Sequence, residues 1–398
     1  MDINLRRLQA YVSDEESQIR EFCNFSNDAA LNEESDEEKE PEGKIWKTFL
    51  DQNCFLQMTH FTSVDILDLY RDIQEITTKY PKRGRRSSIS DMDALISYLI
   101  LFKKGIDYDT LASFLKLTTS SLVRALERIA PKLYEVVKKR WWDDKKRPTP
   151  LSTTSFPYIA LCADSTSLEI NRPKGRFEEA KNYYDAKNGI YALKKECAVM
   201  ASPPHFCLFS HRAVCGSTHD FTALKSNYPS YINYLVKQNE EVNMIATDFM
   251  NPSWAILFDS AYICNDETMI PELRKIALRK GEVTPNQRNI QRELRRIRVV
   301  VEQFGKFKSL WSMFRKPYRF AHDRFDMDFD ICVMVTNEKI KLNLLEDNNQ
   351  VFYSNLRNIT KLQQQEREKR RREQVTASRT RKRQRTSNFY LILLQIYF

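Results

Sequence analysis

Two short apolar runs, each followed by an aspartate, constrain the fold of this chain more than any other feature. The first run ends at Asp164, and the second, residues 255–258, ends at Asp259. Runs of this length between polar segments are typical of buried strands, and the aspartates would lie at the strand ends. Between residues 156 and 337 such runs alternate with helical patterns, which predicts an α/β fold with a mixed sheet flanked by helices.

The pattern also gives approximate bounds for the elements. Strands are predicted over residues 157–164, 191–201, 205–214 and 253–258. A helix is predicted from His219, and two further helical segments follow the last strand. The stretch INRPKGRFEEAKNYYDAKNG, residues 170–189, is predicted to be a basic loop.

Glu302 lies in a different setting, the basic helical stretch RNIQRELRRIRVVVEQFGKFKSLW. Apolar residues recur there at spacings of three and four and predict a buried stripe, formed by Ile290, Leu294, Ile297, Val301 and Phe304. Arg298 and Glu302 border this stripe. They form either a surface ion pair worth roughly a few tenths of a kcal/mol, or part of a site in which Glu302 is a ligand and Arg298, Lys306 and Lys308 face phosphates.

Two aspartates at strand ends and one helical glutamate are suited to binding a pair of divalent cations. Oxygen ligands suit hard cations such as Mg²⁺ or Mn²⁺. Two such ions stabilise both the attacking and the leaving oxygen of a phosphoryl displacement. Taken singly, Asp164 and Asp259 have a simpler interpretation, since aspartates at strand ends commonly form turns. The three residues together favour a metal-dependent enzyme that acts on nucleic acid.

The charge distribution is consistent with a polyanionic partner. The 398 residues carry a formal charge of +10, but residues 1–43 hold 13 acidic and 4 basic side chains, which leaves 59 basic and 40 acidic for the remainder. That basic remainder suits DNA. Eight cysteines without a C-x-x-C pair indicate a reducing compartment and no zinc ribbon. No signal peptide and no span for a bilayer are expected, so we predict an intracellular chain with no membrane partner.

Residues 90–130 predict three helices. Ser90 is the expected N-cap of the first and Gly105 its end. A short helix through Leu111 and Phe114, a turn at residues 117 and 118, and a second helix ending before Pro131 follow the helix-turn-helix layout. This unit either reads DNA, with Arg124 as a contact, or serves only as a scaffold.

Five motifs in this order resemble those of DDE transposases of the PIF/Harbinger type. They are CADST with Asp164, KNGIYALKKECAV, GSTHD at residues 216–220, FDSAY with Asp259, and RRIRVVVEQFGKFKSLW with Glu302. The resemblance covers roughly three fifths of the chain, including the helix-turn-helix. Ala261 and Phe258 depart from the family pattern, in which a glycine and a small residue are usual.

The resemblance implies an RNase H-like mixed sheet flanked by helices and preceded by a helical helix-turn-helix domain. The implied domains are a helical domain (44–150) and a DDE catalytic domain (151–345). Composition alone predicts the acidic disordered arm (1–43) and the basic tail (346–398), which lie outside the resemblance. The implied activity is a DNA transposase or endonuclease with Asp164, Asp259 and Glu302 as catalytic ligands of two Mg²⁺ or Mn²⁺ ions. A domesticated DNA-binding protein that no longer cuts is the alternative.

The resemblance also implies partners and supporting residues. The expected partners are double-stranded DNA (both transposon ends and target), a Myb-like DNA-binding protein and a second copy of the chain. The nucleus is the expected location. His219 and Asp220 begin a predicted helix, where Asp220 either caps backbone N–H groups or, with His219 and Arg298, supports the site. The basic residues expected to contact DNA are Arg124, Arg172, Lys174, Lys187, Lys306 and Lys308.

Overall fold

The computed structural model describes residues 43–78, 87–151, 154–245, 248, 250–262, 270, 272–277, 284–304 and 307–343. The side chains of residues 302–304 are not part of this description. The predicted acidic arm up to residue 42, Lys306 and the predicted basic tail lie outside the described residues. No helix of the described part is long and apolar enough to cross a membrane.

Six helices of the described chain precede the sheet, and a π-helical turn, Lys139–Asp143, extends the last of them. Their bounds are α1 Lys44–Asp51, α2 Phe55–Thr59, α3 Ser63–Thr78, α4 Asp91–Lys104, α5 Tyr108–Phe114 and α6 Thr119–Lys138. All residues of α4 from Asp91 to Phe102 are buried. Helix α4 is therefore the centre around which the other helices of this region pack.

Local sequence explains where these helices begin and end. The hydroxyl of Ser90 accepts a hydrogen bond from the amide of Asp93 at 3.0 Å and caps α4. Gly105 ends α4 with a φ of +61°, and a Cβ there would lie 2.7 Å from the backbone carbon of Ser312. Thr118 caps α6 in the same manner as Ser90, accepting from Ser121 at 3.2 Å. The predicted caps and the α5–turn–α6 spacing are thus present.

The predicted end of the second helix before Pro131 is wrong. Helix α6 continues through Pro131 to Lys138. Proline removes one helical hydrogen bond to the carbonyl of residue 127, but Glu127 is exposed, so water can replace the missing donor. The buried residues Leu133, Val136 and Val137 continue the apolar stripe beyond the proline and stabilise the longer helix.

One mixed sheet forms the second part of the chain. Its strands are β1 Ile159–Glu169, β2 Tyr184–Asp185, β3 Ile190–Met200, β4 Cys207–Ser210, β5 Val214–Cys215, β6 Ala255–Phe258 and β7 Lys275–Ala277. The order across the sheet is β4–β3–β1–β6–β7, and the short strands β2 and β5 also pair with β3. Strands β1, β3 and β4 are antiparallel, whereas β1, β6 and β7 are parallel. This confirms the predicted mixed sheet and is consistent with an RNase H-like fold.

Helices cover both faces of this sheet. They are α7 Phe177–Lys181, α8 Asp220–Leu235, α9 Pro285–Phe304, α10 Phe307–Leu310 and α11 His322–Asn343. On one face, the Sγ of Cys162 lies 3.7 Å from the carbonyl of Ile297 in α9. On the other face, Glu196 accepts a hydrogen bond from Tyr231 of α8. Successive side chains of a strand point to opposite faces of the sheet. Asp164 is two residues from Cys162 and therefore lies on the same face, the one that α9 covers.

The helices before the sheet pack with it in one compact unit, whose described residues lie between 43 and 341. Buried polar groups join the two parts, because Asp328 of α11 accepts hydrogen bonds from Tyr98 of α4 and from Tyr318. The predicted boundary at residue 150 therefore separates a helical from a sheet-containing region of this unit. The domain limits and the DNA-reading role of the helix-turn-helix stay predictions.

Candidate active site

The register of the sheet brings Asp164 and Asp259 together. Strands β1 and β6 are parallel neighbours, with Cys162 paired to Leu257. Asp164 and Asp259 each follow this pair by two residues, and the carboxylate of Asp259 is near enough to Asp164 to raise its pKa. Each carboxylate accepts a hydrogen bond from the next amide, Ser165 at 2.9 Å and Ser260 at 2.6 Å. These bonds orient the two carboxylates where the parallel pair ends.

The prediction that Asp164 ends its strand is wrong in one respect. Strand β1 continues to Glu169 because its antiparallel partner β3 remains paired through Ala192. Strand β6, by contrast, stops at Phe258. Asp164 is therefore in the middle of a strand, yet at the point where its parallel neighbour ends. Beyond Asp164, strand β1 is paired with β3 on one side and has no partner from β6 on the other, which leaves an open edge beside Asp164.

Negative charge accumulates at this edge. Burial raises the pKa of the Asp164 carboxyl to about 6 against the opposing effect of Arg298, and the carboxylates of Asp259 and Asp220 add to the rise. An Nη of Arg298 lies 3.4 Å from Oδ2 of Asp164. Lys194 pairs with Asp220 at 3.7 Å, so Arg298 is the cation that faces Asp164, whose charge is also repelled by Asp259. The edge thus favours an additional positive charge.

Helix α9 brings position 302 to the same edge. Arg298 of α9 contacts Asp164 directly, and residue 302 follows one helical turn later on the same side of the helix. At about 1.5 Å per residue, the two positions are separated by roughly 6 Å along the axis. The side chain of Glu302 lies outside the described residues, and no group of three metal-binding residues is found among the described ones. The complete triad therefore stays a prediction.

The residues present fit a divalent cation. Asp164 and Asp259 offer carboxylate oxygens, which hard cations such as Mg²⁺ prefer over nitrogen or sulfur ligands. Partial burial raises the pKa of Asp164 and so disfavours its negative charge, while the 34% of the side chain that is exposed leaves the carboxylate accessible. A cation at the edge would stabilise that charge, and a glutamate at position 302 would add a third oxygen donor.

The GSTHD motif positions the start of α8 beside this edge. A Cβ at Gly216 would lie 2.4 Å from the carbonyl oxygen of Tyr183, so only glycine allows this approach to the backbone. The N-cap of α8 is His219, whose Nδ1 accepts from the amide of Phe221 at 3.2 Å. Asp220 is the first helical residue, and it raises the pKa of Asp164. The prediction that Asp220 caps this helix is therefore wrong, since His219 is the N-cap.

A buried network behind Asp164 was missed by the sequence prediction. Ser165 and Tyr262 share a hydrogen bond of 2.8 Å between their hydroxyls. Glu196, cross-strand from Ser165, is 2% exposed and accepts from Tyr231 at 2.9 Å and from Asn227 at 3.1 Å. A glutamate in an apolar strand was the available signal, since a buried carboxyl requires hydrogen-bonding partners.

The residues predicted to contact DNA occupy three different places. Arg172, Lys174 and Lys187 are exposed in the 170–189 segment, which the structure folds into α7 and β2 rather than into a loop throughout. Lys308 donates a hydrogen bond of 2.6 Å to the carbonyl of Ser167, three residues beyond Asp164. Arg124 is exposed on α6. Among the described residues of this set, which exclude Lys306, Lys308 is the one with a hydrogen bond to the strand that carries Asp164.

Two comparisons with known proteins found similarities to this chain. Residues 163–337, which include all three predicted ligands, match the sequence model of the family described as DDE superfamily endonuclease. The chain is also 24% identical over 267 residues to a protein of Microchaete diplosiphon described as "Probable transposase for insertion sequence element IS702", a match that covers 66% of this chain and 86% of that protein. Among solved structures, none matches the chain. The two similarities support a relationship to DDE transposases.

Proposed function

We propose that this protein is a DNA transposase of the PIF/Harbinger type that cuts transposon ends and joins them to target DNA. The observation that carries this proposal is the parallel pairing of β1 with β6, which ends at Cys162 and Leu257, two residues before Asp164 and Asp259, together with the contact of Arg298 of α9 with Asp164. The match to DDE superfamily endonucleases covers the same residues. The five ordered sequence motifs support the finer PIF/Harbinger assignment.

Asp164, Asp259 and Glu302 would hold two divalent cations, Mg²⁺ or Mn²⁺. When bound, the two ions supply the charge that activates the attacking oxygen and neutralises the leaving oxygen. The protein's own residues fix the geometry. The amides of Ser165 and Ser260 orient the two aspartates, and Arg298 restrains the free oxygen of Asp164.

The reaction is a sequence of two phosphoryl transfers. Water attacks the scissile phosphorus and the 3′-oxygen leaves, after which the freed 3′-hydroxyl attacks a phosphorus of the target strand and displaces its 3′-oxygen. Each step breaks one P–O bond and forms one, so no covalent enzyme intermediate is required. Asp164, with its raised pKa, must be deprotonated to act as a ligand.

The domesticated alternative, a DNA-binding protein that does not cut, predicts binding without cleavage. The two hypotheses are separated with the full-length protein and duplexes that carry the inverted repeats flanking its coding region. The wild type should cut these duplexes only with Mg²⁺ or Mn²⁺. Asp164→Asn, Asp259→Asn and Glu302→Gln should each reduce cleavage by at least about 10³-fold, the scale for losing a group that stabilises the transition state.

A surface control accompanies these variants. Asp143 pairs with Lys138 at 3.5 Å and its side chain is 54% exposed, so Asp143→Asn should cleave as the wild type does. All four variants should bind duplex DNA, because affinity comes mainly from phosphate contacts. Wild-type protein that binds the ends but cuts neither strand would support the domesticated alternative. Full activity of Glu302→Gln would contradict the triad.

The expected partners and location belong to the same proposal. A homo-oligomer would allow two ends to be processed together, and a Myb-like protein would add recognition of the end sequence. The basic clusters at residues 369–372 and 379–385 support import into the nucleus. Replacing both clusters by alanine should move a fluorescent fusion to the cytoplasm, and an unchanged nuclear signal would exclude them as import signals.

A further inference from the structure

The solvent-facing side of α9 carries a dense group of exposed arginines. Arg288, Arg292, Arg295 and Arg296 are all exposed. At about 100° per residue, these positions fall within an arc of roughly 100°. Gln291, Leu294, Ile297, Val300 and Val301 are buried on the other side of the helix. We call Arg292, Arg295 and Arg296 the arginine stripe.

The stripe has no compensating negative charge in the described part of the chain. No described carboxylate forms an ion pair with Arg292, Arg295 or Arg296. The one acidic residue of α9 whose side chain is described, Glu293, turns away from the stripe and accepts a hydrogen bond from the amide of Ser155 at 2.5 Å. Three uncompensated guanidinium groups on one side of a helix strongly favour a polyanion.

The stripe lies next to the candidate active site. On the helical wheel, position 302 is roughly 20° from Arg295, on the border between the buried and the exposed side. Along the axis, the three arginines lie about 9 to 15 Å from position 302. Successive phosphates of one DNA strand are about 3.4 Å apart along the duplex. The stripe thus lies roughly three to four base pairs away from the site of cleavage, measured along the duplex.

We infer that the arginine stripe is a binding surface for the phosphate backbone of double-stranded DNA adjacent to the scissile phosphate. This inference rests on the proposed function and adds to it the path of the DNA along α9. Arginine suits this role because its planar guanidinium donates paired hydrogen bonds to phosphate oxygens. The contact is independent of sequence, since it involves no base edge.

The test is the salt dependence of binding to a mixed-sequence 30-base-pair duplex, measured by fluorescence anisotropy in EDTA. The full-length triple variant Arg292→Gln, Arg295→Gln, Arg296→Gln should bind roughly ten- to a hundredfold more weakly than the wild type near 0.1 M salt. The slope of log K against log salt should fall in magnitude by about three, one for each lost phosphate contact. The Arg→Lys triple variant should retain most of the slope.

A matched control removes the same charge elsewhere. Lys44, Arg71 and Lys139 are exposed on the helices before the sheet. Their combined replacement by glutamine should leave the slope within about one of the wild-type value. An equal loss of slope in both glutamine triples would show a general charge effect and overturn the inference. So would an unchanged slope in the stripe variant, or a lysine variant as weak as the glutamine one.

These outcomes are distinct from failure of the proposed function. If the wild type binds duplex DNA and cuts it with Mg²⁺ while the stripe variant binds as well as the wild type, the role of the arginine stripe is refuted and the proposed function is not. A wild type that binds no duplex would refute both. All substituted residues are exposed, so each variant should keep the thermal transition of the wild type, which calorimetry checks directly.

Discussion

Replacing Glu196 by glutamine should remove a large part of the pH dependence of stability. Glu196 is 2% exposed, and burial raises its pKa to about 7 despite hydrogen bonds from Tyr231, Asn227 and Tyr262. Among the described residues, nothing donates a hydrogen bond to its Oε2. In the unfolded chain the carboxyl has a pKa near the usual value of about 4.3. The folded state therefore holds the proton more tightly than the unfolded state.

The sign and size of the effect follow from linkage. A raised pKa in the folded state means that the stabilisation is complete below the unfolded pKa and is lost as the pH rises through the folded pKa. Between pH 5 and pH 8 the ionisation of Glu196 should lower the free energy of unfolding by about 2.5 kcal/mol. Glu196→Gln cannot ionise. The free energy of unfolding of this variant, relative to that of the wild type, should therefore be about 2.5 kcal/mol higher at pH 8 than at pH 5.

Calorimetry in EDTA at pH 5 and pH 8 measures this gain. With an unfolding entropy of about 2.1 cal/mol/K per residue over the roughly 270 described residues, 2.5 kcal/mol corresponds to roughly 4 °C in Tm. Glu135→Gln is the control, because Glu135 is exposed on α6. It should show the pH dependence of the wild type. If the Tm difference between Glu196→Gln and wild type were the same at both pH values, the buried carboxyl would not hold its proton at neutral pH.

Three further predictions concern the metal ligands, the acidic arm and a buried ion pair. The affinity for Mn²⁺, measured by electron paramagnetic resonance, should rise by up to about tenfold per pH unit as the pH increases to 6, because Asp164 must lose its proton to bind the ion, and should level off above pH 6. An affinity that does not change with pH would contradict this. Removal of residues 1–42 should leave the thermal transition and cleavage intact, since so acidic a segment buries little apolar surface; aggregation of the shortened chain would show that the arm packs on the core. Asp248→Asn should lower the free energy of unfolding by about 3 to 5 kcal/mol in urea titrations, because it leaves the fully buried Lys237 without its carboxylate at 2.9 Å; a change below about 1 kcal/mol would mean that Lys237 is neutral or solvated.

Local signals predicted several elements correctly. Ser90, Gly105 and the turn before Thr119 set the ends of helices through hydrogen bonds and a backbone conformation that involve only near neighbours in the chain. The apolar runs before Asp164 and Asp259 likewise predicted the strands β1 and β6. These features follow from short-range geometry, which a single sequence displays directly.

Local signals failed where distant residues decided the outcome. Pro131 usually ends a helix, but the burial of Leu133 and Val136 against the rest of the helical region outweighs one lost hydrogen bond. Strand β1 extends past Asp164 because β3 offers it a partner there. Neither packing contact is visible in the residues around the proline or the aspartate.

The sequence by itself determined the types of residue available at the candidate site and the elements that carry them. Asp164, Asp259 and Glu302 could be assigned from their settings and from the motifs around them. Only the tertiary structure decided that Asp164 lies near Asp259, that Arg298 contacts Asp164 and that Glu196 is buried behind Ser165. The physical reason is that strand register and burial depend on pairings between residues far apart in the chain, whereas caps, turns and periodicity depend on neighbours.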